Sequence, residues 1–207
     1  MYLDPERFPF TAALEESWPV IRREFEALGR EALVAWPERA LYEQGWDVFG
    51  LYGFGQRLAE NCAACPATAR LVETVPGMVT AGFSVLQPGT HIRPHAGYSG
   101  AVLRCHLGLV VPPGCEMRVG SETRGWQEGR CLVFDDTTEH EVWHRGTSVR
   151  AVLLLDVMKD AHGVPVTANP RTGGSTVHAT IASLGGLQSA SVGFDVRERP
   201  RPTYFRG

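Results

Sequence analysis

The segment between Met78 and Val157 alternates short apolar runs with turns, and this alternation constrains the fold more than any other feature. Runs such as TAGFSVL, AVLRCHLGLVV, RCLVFDD and SVRAVLLLDV are separated by the turn signals PGT, PPG and RGT. Many short strands joined by glycine- and proline-containing turns are typical of an antiparallel barrel or jelly roll. The sequence therefore predicts a mainly β fold whose core is a jelly roll, the cupin-like double-stranded β-helix.

The residues before this segment predict helices that flank the β core. Thr11 stands at a capping position for a helix through Leu28, and Gly29 follows as its end. The apolar residues of this predicted helix recur at helical spacing: Leu14, Trp18, Ile21, Phe25 and Leu28. A strand-like WDVFGLYGFG comes next, and a second, short helix is predicted over residues 66–75.

The chain has 207 residues, a length that suits one domain with a substantial core. We predict that this domain covers residues 1–158. Residues 159–207 form a C-terminal extension that is rich in Gly, Ser, Thr, Pro and Arg, with one apolar segment, TVHATIASLGGL. A lid, a dimer arm and a partly disordered tail are all compatible with this composition. The sequence makes no prediction of oligomeric state.

Composition excludes several classes of partner. Apolar residues make up 43% of the chain, charged residues 21%, and the net charge is -3, as in an ordinary soluble protein. No basic stripe offers a surface for a nucleic-acid polymer. Because no apolar signal segment or membrane-length apolar run is present, we predict a cytoplasmic protein without membrane contact.

The cysteines carry neither a disulfide framework nor a second pair at zinc-binding spacing. Their odd number predicts reduced thiols that pack as small apolar residues. They are Cys62, Cys65, Cys105, Cys115 and Cys131.

Histidines and arginines in the β segment suggest a metal site with an anion-binding end. His95 and His140 each stand at the end of a strand-like run. Arg104 and His106 alternate along one strand, so their side chains share a face, and Arg150 lies on a later strand. Neutral imidazoles bind iron(II), and a guanidinium binds a carboxylate through two parallel hydrogen bonds. A buried arginine also needs an anionic partner. This set indicates a non-haem iron enzyme with 2-oxoglutarate as co-substrate.

The ordered motifs PGTHIRPH, RCHLGLVVP, ETRGWQEG, FDD and EHEVW resemble the aspartyl/asparaginyl β-hydroxylase family of iron(II)/2-oxoglutarate oxygenases, which also consume O2. The resemblance begins at Trp46 and covers about half of the chain. It implies that His95 and His140 are the iron ligands and that Trp46 forms a wall of the substrate pocket. It also implies that Arg150 and Ser84 hold the distal carboxylate of 2-oxoglutarate, and that Arg104 and His106 lie near its chelating end.

Gly97 stands two residues after His95, where most 2-oxoglutarate oxygenases carry a carboxylate ligand. Because glycine cannot ligate, the resemblance implies an open third position for water or an anion. Animal aspartyl hydroxylases share this opening, and 2-oxoglutarate halogenases place chloride there. Glycine alone therefore leaves both reactions possible.

Leu41 and Val102 stand where the animal peptide hydroxylases carry arginines near the substrate carboxylate. Without a guanidinium a substrate carboxylate loses its natural partner. We therefore predict a halogenase of a small-molecule substrate, such as a nucleotide, in natural-product biosynthesis, with chloride on iron. Two alternatives remain: β-hydroxylation of Asp, Asn or another amino-acyl group, and a non-catalytic cupin-like binding module.

Four other polar residues near these motifs are assigned no ligand role. His91 and His144 are predicted to be non-ligands, because Pro94 argues against a helix that would align His91 with His95. Asp135 and Asp136 are interpreted as a turn before the His140 strand.

Overall fold

The computed structural model describes residues 1–167, and antiparallel β-strands dominate it. The strands are β1 (Tyr2–Leu3), β2 (Val34–Ala35), β3 (Trp46–Gly53), β4 (Gln56–Arg57), β5 (Met78–Leu86), β6 (His91–His95), β7 (Val102–Val110), β8 (Cys115–Val119), β9 (Glu122–Gly125), β10 (Cys131–Phe134), β11 (His140–His144) and β12 (Arg150–Met158). The helices are α1 (Pro9–Glu16), α2 (Trp18–Ala27), α3 (Ala59–Ala64) and α4 (Pro66–Glu73). Short 3-10 turns occur at Pro5–Arg7, Arg30–Ala32, Arg39–Leu41 and Asp160–His162.

Two sheets form the core. The larger has the strand order β1-β10-β7-β12-β5-β3-β2, with β4 attached to β3. The smaller has the order β6-β11-β8-β9. Neighbouring strands that are distant in sequence, such as β12 between β5 and β7, give the crossed connections of a jelly roll. The predicted mainly β fold with flanking helices is therefore confirmed.

The larger sheet has two different faces because side chains alternate along each strand. On β7 and β12 the odd-numbered residues from Leu103 to Leu109 and from Ala151 to Val157 pack against the helices. Their even-numbered neighbours point to the smaller sheet, where Val152 packs with Met117 and Val142. The polar residues Arg104, His106 and Arg150 also occupy even positions. The inner face between the two sheets is therefore where the predicted site residues gather.

The single helix predicted from Thr11 to Leu28 was wrong. The chain forms α1 and α2, which are separated at Ser17. Pro19 is in the first turn of α2, where its missing N–H breaks no helical hydrogen bond, so the sequence favours a new helix start there. Thr11 lies inside α1 and its hydroxyl donates to the carbonyls of Pro5 and Phe8 at 2.9 and 2.8 Å.

The predicted extension begins with residues that pack on the core domain. Lys159 is fully buried, and its ammonium donates to Asp135 Oδ2 and to Thr167 Oγ1, each at 2.8 Å. The Thr167 amide donates to Gly100 O at 3.0 Å. The rest of the extension, including TVHATIASLGGL, lies outside the described residues, so its role stays a prediction.

The cysteines and the helix lengths can be compared with the sequence expectations within residues 1–167. All five cysteines are buried and unpaired, which confirms the prediction of reduced thiols. Within residues 1–167, each helix falls short of the length and apolar character needed to cross a membrane.

Candidate active site

His95 and His140 face each other across two strands of the smaller sheet. They are direct partners in the β6–β11 register, and their ring centroids are 4.1 Å apart. Each Nδ1 bonds to a backbone carbonyl two residues upstream, Arg93 O at 2.8 Å and Thr138 O at 2.9 Å. A carbonyl only accepts, so each Nδ1 carries the proton and each Nε2 keeps its lone pair. Burial lowers the pKa of both imidazoles. The pair is therefore a neutral two-nitrogen donor set of the kind that holds iron(II) or zinc(II).

The Asp136 carboxylate lies beside this pair, a position that no local sequence pattern predicts. Asp136 is wholly buried, and its Oδ1 is 3.6 Å from His140 Nε2. A Cβ added at Gly97 would overlap the Asp136 carboxylate, and the Gly97 amide donates to Asp136 O at 2.6 Å. The space that the sequence left open beside Gly97 is therefore filled by a carboxylate from the turn before β11. Asp136 does lie in a turn as predicted, but it is also a site residue.

Arg104 holds this carboxylate in place. Its Nη1 is 2.9 Å from Asp136 Oδ1. Its Nε and Nη2 donate to Oδ1 and Oδ2 of Asp156, at 2.8 and 3.1 Å. Tyr98 donates its hydroxyl to Asp156 at 3.1 Å, and burial raises the pKa of the Asp156 carboxyl. The anionic partners that the sequence required for Arg104 are thus supplied by the chain. Its predicted contact with the chelating end of 2-oxoglutarate stays a prediction.

Arg150 has no such partner. It is 1% exposed, and among residues 1–167 no carboxylate lies within ion-pair distance of it. Its Nη1 donates to Ser84 O at 3.2 Å, its guanidinium lies 4.6 Å from the Trp126 ring centroid, and its Nε has no partner. Burial lowers its pKa to about 10. A buried guanidinium without a counter-charge is costly, so this end of the site suits an incoming carboxylate.

The other predicted co-substrate residues surround Arg150. His106 lies between the rings of Trp126 and Phe134. Trp126 Nε1 donates to His106 Nδ1 at 3.3 Å, while His106 Nε2 has no hydrogen-bond partner among residues 1–167. Burial lowers the pKa of His106, which is therefore neutral. Ser84 Oγ accepts from Trp46 Nε1 at 3.1 Å. Trp126 was missed at the sequence level, although it is the tryptophan of the quoted ETRGWQEG motif.

A narrow cavity beside His95 is lined by aromatic and acidic side chains. Trp36 and Trp46 stack within it, with centroids 4.5 Å apart and an interplanar angle of 6°. Its lining consists of Trp36, Glu38, Trp46, Thr80, His95, Gly97, Tyr98, Arg104, Asp136 and Asp156. Trp46 therefore forms a wall of this cavity. Trp36 and Glu38 were not predicted, since they lie in WPERALYEQG, a stretch without strand or helix periodicity.

The remaining histidines of the motif segment have other partners. His91 pairs with Glu141 at 2.8 Å and stacks on Trp143. His144 bonds to Ser148 O at 2.7 Å and to Cys115 Sγ at 3.0 Å. Within the described chain no group of three or more His, Cys, Asp or Glu side chains is arranged to hold a metal.

Comparison with known proteins identifies the family of the chain. The sequence profile of the aspartyl/asparaginyl β-hydroxylase family matches residues 15–160. This match covers well over half of the chain, and the protein belongs to that family.

Curated relatives are hydroxylases with different substrates. An ornithine lipid ester-linked acyl 2-hydroxylase of Rhizobium tropici is 38% identical over 167 residues, which are 75% of this chain and 59% of the relative. The aspartyl/asparaginyl β-hydroxylase of Homo sapiens is 40% identical over 156 residues, which are 70% of this chain and 20% of the relative. The chain thus spans only part of either relative.

Among solved structures, a cupin-2 domain of Rhodospirillum rubrum has a TM-score of 0.42 at 12% identity, covering 74% of this chain and 80% of that one.

We expect Gly97→Ala to disrupt the site. The new methyl group would push the Asp136 carboxylate away from Arg104 and leave a buried charge uncompensated, which costs roughly 3–5 kcal/mol of unfolding free energy. Denaturant unfolding measures the loss. Gly125→Ala is the matched control, because its added Cβ meets only an ordinary contact with Cys115 O at 3.4 Å. Wild-type stability of Gly97→Ala would contradict the described position of Asp136.

Proposed function

We propose that this protein is an iron(II)- and 2-oxoglutarate-dependent hydroxylase of an aliphatic C–H bond. One observation carries the proposal. The inner face combines two neutral imidazoles, whose Nδ1 atoms donate to backbone carbonyls, with a buried Arg150 that has no carboxylate partner among residues 1–167. A metal ion would bind to the two imidazoles, and an anionic co-substrate would supply the charge partner of Arg150. Membership of a hydroxylase family supports the same reaction class.

The residues present fit both groups. Iron(II) would be held by Nε2 of His95 and His140, and the distal carboxylate of 2-oxoglutarate by Arg150 with Ser84 beside it. When bound, iron and 2-oxoglutarate supply the oxidising power by which O2 converts a C–H bond to a hydroxyl group, with succinate and CO2 as co-products.

The chain's own residues orient and enclose these groups. The carbonyls of Arg93 and Thr138 fix the tautomer and the direction of the two imidazoles. Arg104 fixes the Asp136 carboxylate as a hydrogen-bond acceptor at the metal-binding pair. The Trp46 indole holds the Ser84 hydroxyl and closes one wall against water.

The position of Asp136 favours hydroxylation over the halogenation predicted from the sequence. A halogenase needs chloride in the third position, beside Gly97. A buried carboxylate in that space repels a second anion, and Arg104, the nearest cation, is already paired with Asp136 and Asp156. The relatives described above are hydroxylases. We therefore place hydroxylation of an acyl or amino-acyl group ahead of halogenation of a nucleotide.

Mass spectrometry of products tests this choice. Iron-reconstituted protein is incubated with 2-oxoglutarate, O2 and candidate acyl or aspartyl substrates, at low and at high chloride. We expect an oxygenated product and equal succinate formation at both chloride concentrations. A chlorinated product would restore the halogenase hypothesis, and an absence of iron-dependent succinate formation would favour the non-catalytic binding module.

Removal of either imidazole should abolish tight metal binding. His95→Ala and His140→Ala each leave a single nitrogen ligand, so anaerobic calorimetry with iron(II) should show an affinity loss of about a hundredfold or more. His91→Ala is the control, since that ring is bonded to Glu141 outside the site. Wild-type affinity in either site variant would remove that histidine from the ligand set.

Arg150→Ala should impair binding of the co-substrate but not of the metal. Loss of a buried carboxylate fork costs about 2–5 kcal/mol, so the KM for 2-oxoglutarate should rise by about thirtyfold or more. Arg150→Lys should recover part of this loss, because it keeps the charge without the fork. Arg145→Ala, which removes an exposed arginine paired with Glu116, is the control. A near-normal KM in Arg150→Ala would assign the carboxylate to another residue.

A further inference from the structure

The turn between β10 and β11 makes three contacts with the two histidines and their surroundings. Asp136 Oδ1 is 3.6 Å from His140 Nε2. The backbone carbonyl of Asp136 accepts a hydrogen bond from the Gly97 amide at 2.6 Å. The carbonyl of Thr138 accepts from His140 Nδ1 at 2.9 Å. The direction of one imidazole and the position of the buried carboxylate therefore both depend on where this turn lies.

Lys159 anchors the first residue of the turn. Its ammonium is fully buried and donates to Asp135 Oδ2 at 2.8 Å, and among residues 1–167 no other carboxylate lies within ion-pair distance of it. Asp135 Oδ1 accepts from the amide and the hydroxyl of Thr137, at 3.1 and 2.7 Å. Burial opposes ionisation of Asp135, but the hydrogen bonds from Lys159 and Thr137 lower the pKa of its carboxyl overall. Asp135 therefore stays ionised opposite the ammonium.

Two cations hold the turn from different sides. Asp135 and Asp136 are consecutive, but Lys159 pairs with the first carboxylate, at 2.8 Å. Arg104, on β7, pairs with the second at 2.9 Å. Lys159 directly follows β12, and its amide donates to Ala101 O at 2.8 Å, just before β7 begins. Because β7 and β12 are neighbours inside the larger sheet, two separate ion pairs fix the turn relative to that sheet.

Loss of the Lys159 ammonium would release the turn. The Asp135 side chain is 20% exposed, so without its partner the carboxylate can rotate toward water instead of staying unpaired. This rotation would also displace the residues that follow, including Asp136 and Thr138. An ion pair at the first residue of the turn would thus affect the histidines through the turn itself.

We propose that Lys159 is a positioning residue for the His95–His140 pair. Through its ion pair with Asp135 it sets the position of the Asp136 carboxylate and the direction of the His140 ring. The inference rests on the proposed function, since it names a residue that orients the proposed metal ligands.

Hydrogen exchange measured by NMR without metal tests whether Lys159 holds the turn. Lys159→Met removes the ammonium and keeps an unbranched side chain. The reporters are the amides of Gly97 and Thr138, which donate to the carbonyls of the first two residues of the turn. We expect both reporter amides to exchange about tenfold faster or more, because the turn opens locally once its anchor is lost. Asp135→Asn removes the same ion pair from the turn side and should change the exchange in the same direction.

Glu24→Gln is the control for a loss of stability without a change in the turn. Glu24 accepts from the amides of Ala67 and Thr68 at 2.8 Å, at the start of α4. Exchange at Leu107 and Leu153, which are partners in central strands, reports the global stability of each variant. In Glu24→Gln we expect faster exchange at these core amides and unchanged exchange at the two reporter amides.

Iron(II) affinity tests the link from the turn to the histidines. In anaerobic calorimetry Lys159→Met should bind iron(II) about tenfold more weakly, because groups that orient a ligating imidazole contribute on that order to metal affinity. Asp135→Asn should weaken binding as well. The KM for 2-oxoglutarate should stay near that of wild type, since Arg150 bonds to Ser84 O and not to the turn.

The outcomes separate this inference from the proposed function. If the wild-type protein fails to bind iron(II), the proposed function falls, while the two reporter amides still decide whether Lys159 holds the turn. If iron(II) binds, either of two results overturns the positioning role. One is reporter exchange in Lys159→Met and Asp135→Asn that is no faster than in Glu24→Gln, and the other is wild-type iron(II) affinity in both of these variants.

Discussion

The buried contact of Arg104 with Asp136 and Asp156 is the interaction on which the rest of the site depends. It links β7, β12 and the turn before β11, three segments that are distant in sequence. Burying a carboxylate as completely as that of Asp136 is costly without such a partner. Arg104 therefore makes it possible for a carboxylate to lie beside the His95–His140 pair, in the space that Gly97 leaves open. The fold thereby fixes the charge beside the two histidines.

The inner face has opposite electrostatic character at its two ends. Within residues 1–167, the buried Arg150 guanidinium has no carboxylate partner, while the Asp136 and Asp156 carboxylates share the single guanidinium of Arg104. In a medium of low effective dielectric constant this separation sorts ligands by charge. In the proposed function, the Arg150 end attracts the anionic co-substrate, whereas the Asp136 end disfavours anions. In the proposed function, this charge distribution favours hydroxylation, because halogenation would require chloride to bind beside the Asp136 carboxylate.

Much of the fold could be predicted because its signals are local. The apolar alternation located β5, β7, β10 and β12, and the period of two placed Arg104 and His106 on one face. The break at Ser17 was missed because the apolar spacing continues through it, although Pro19 marks a helix start. The anionic partner of Arg104 was assigned to the co-substrate, whereas the chain supplies it from a residue 52 positions away.

The sequence by itself determined the β core, the strand-like runs that carry His95 and His140, the shared face of Arg104 and His106, and the family. These depend on residue type and short-range periodicity, which neighbouring positions encode. Only the tertiary structure decided that Asp136 fills the space at Gly97, that Arg150 is buried without a carboxylate partner among residues 1–167, and that Trp36 and Glu38 reach the cavity. Strand register and the packing of turns set those distances, and they follow from contacts between segments that no local pattern relates.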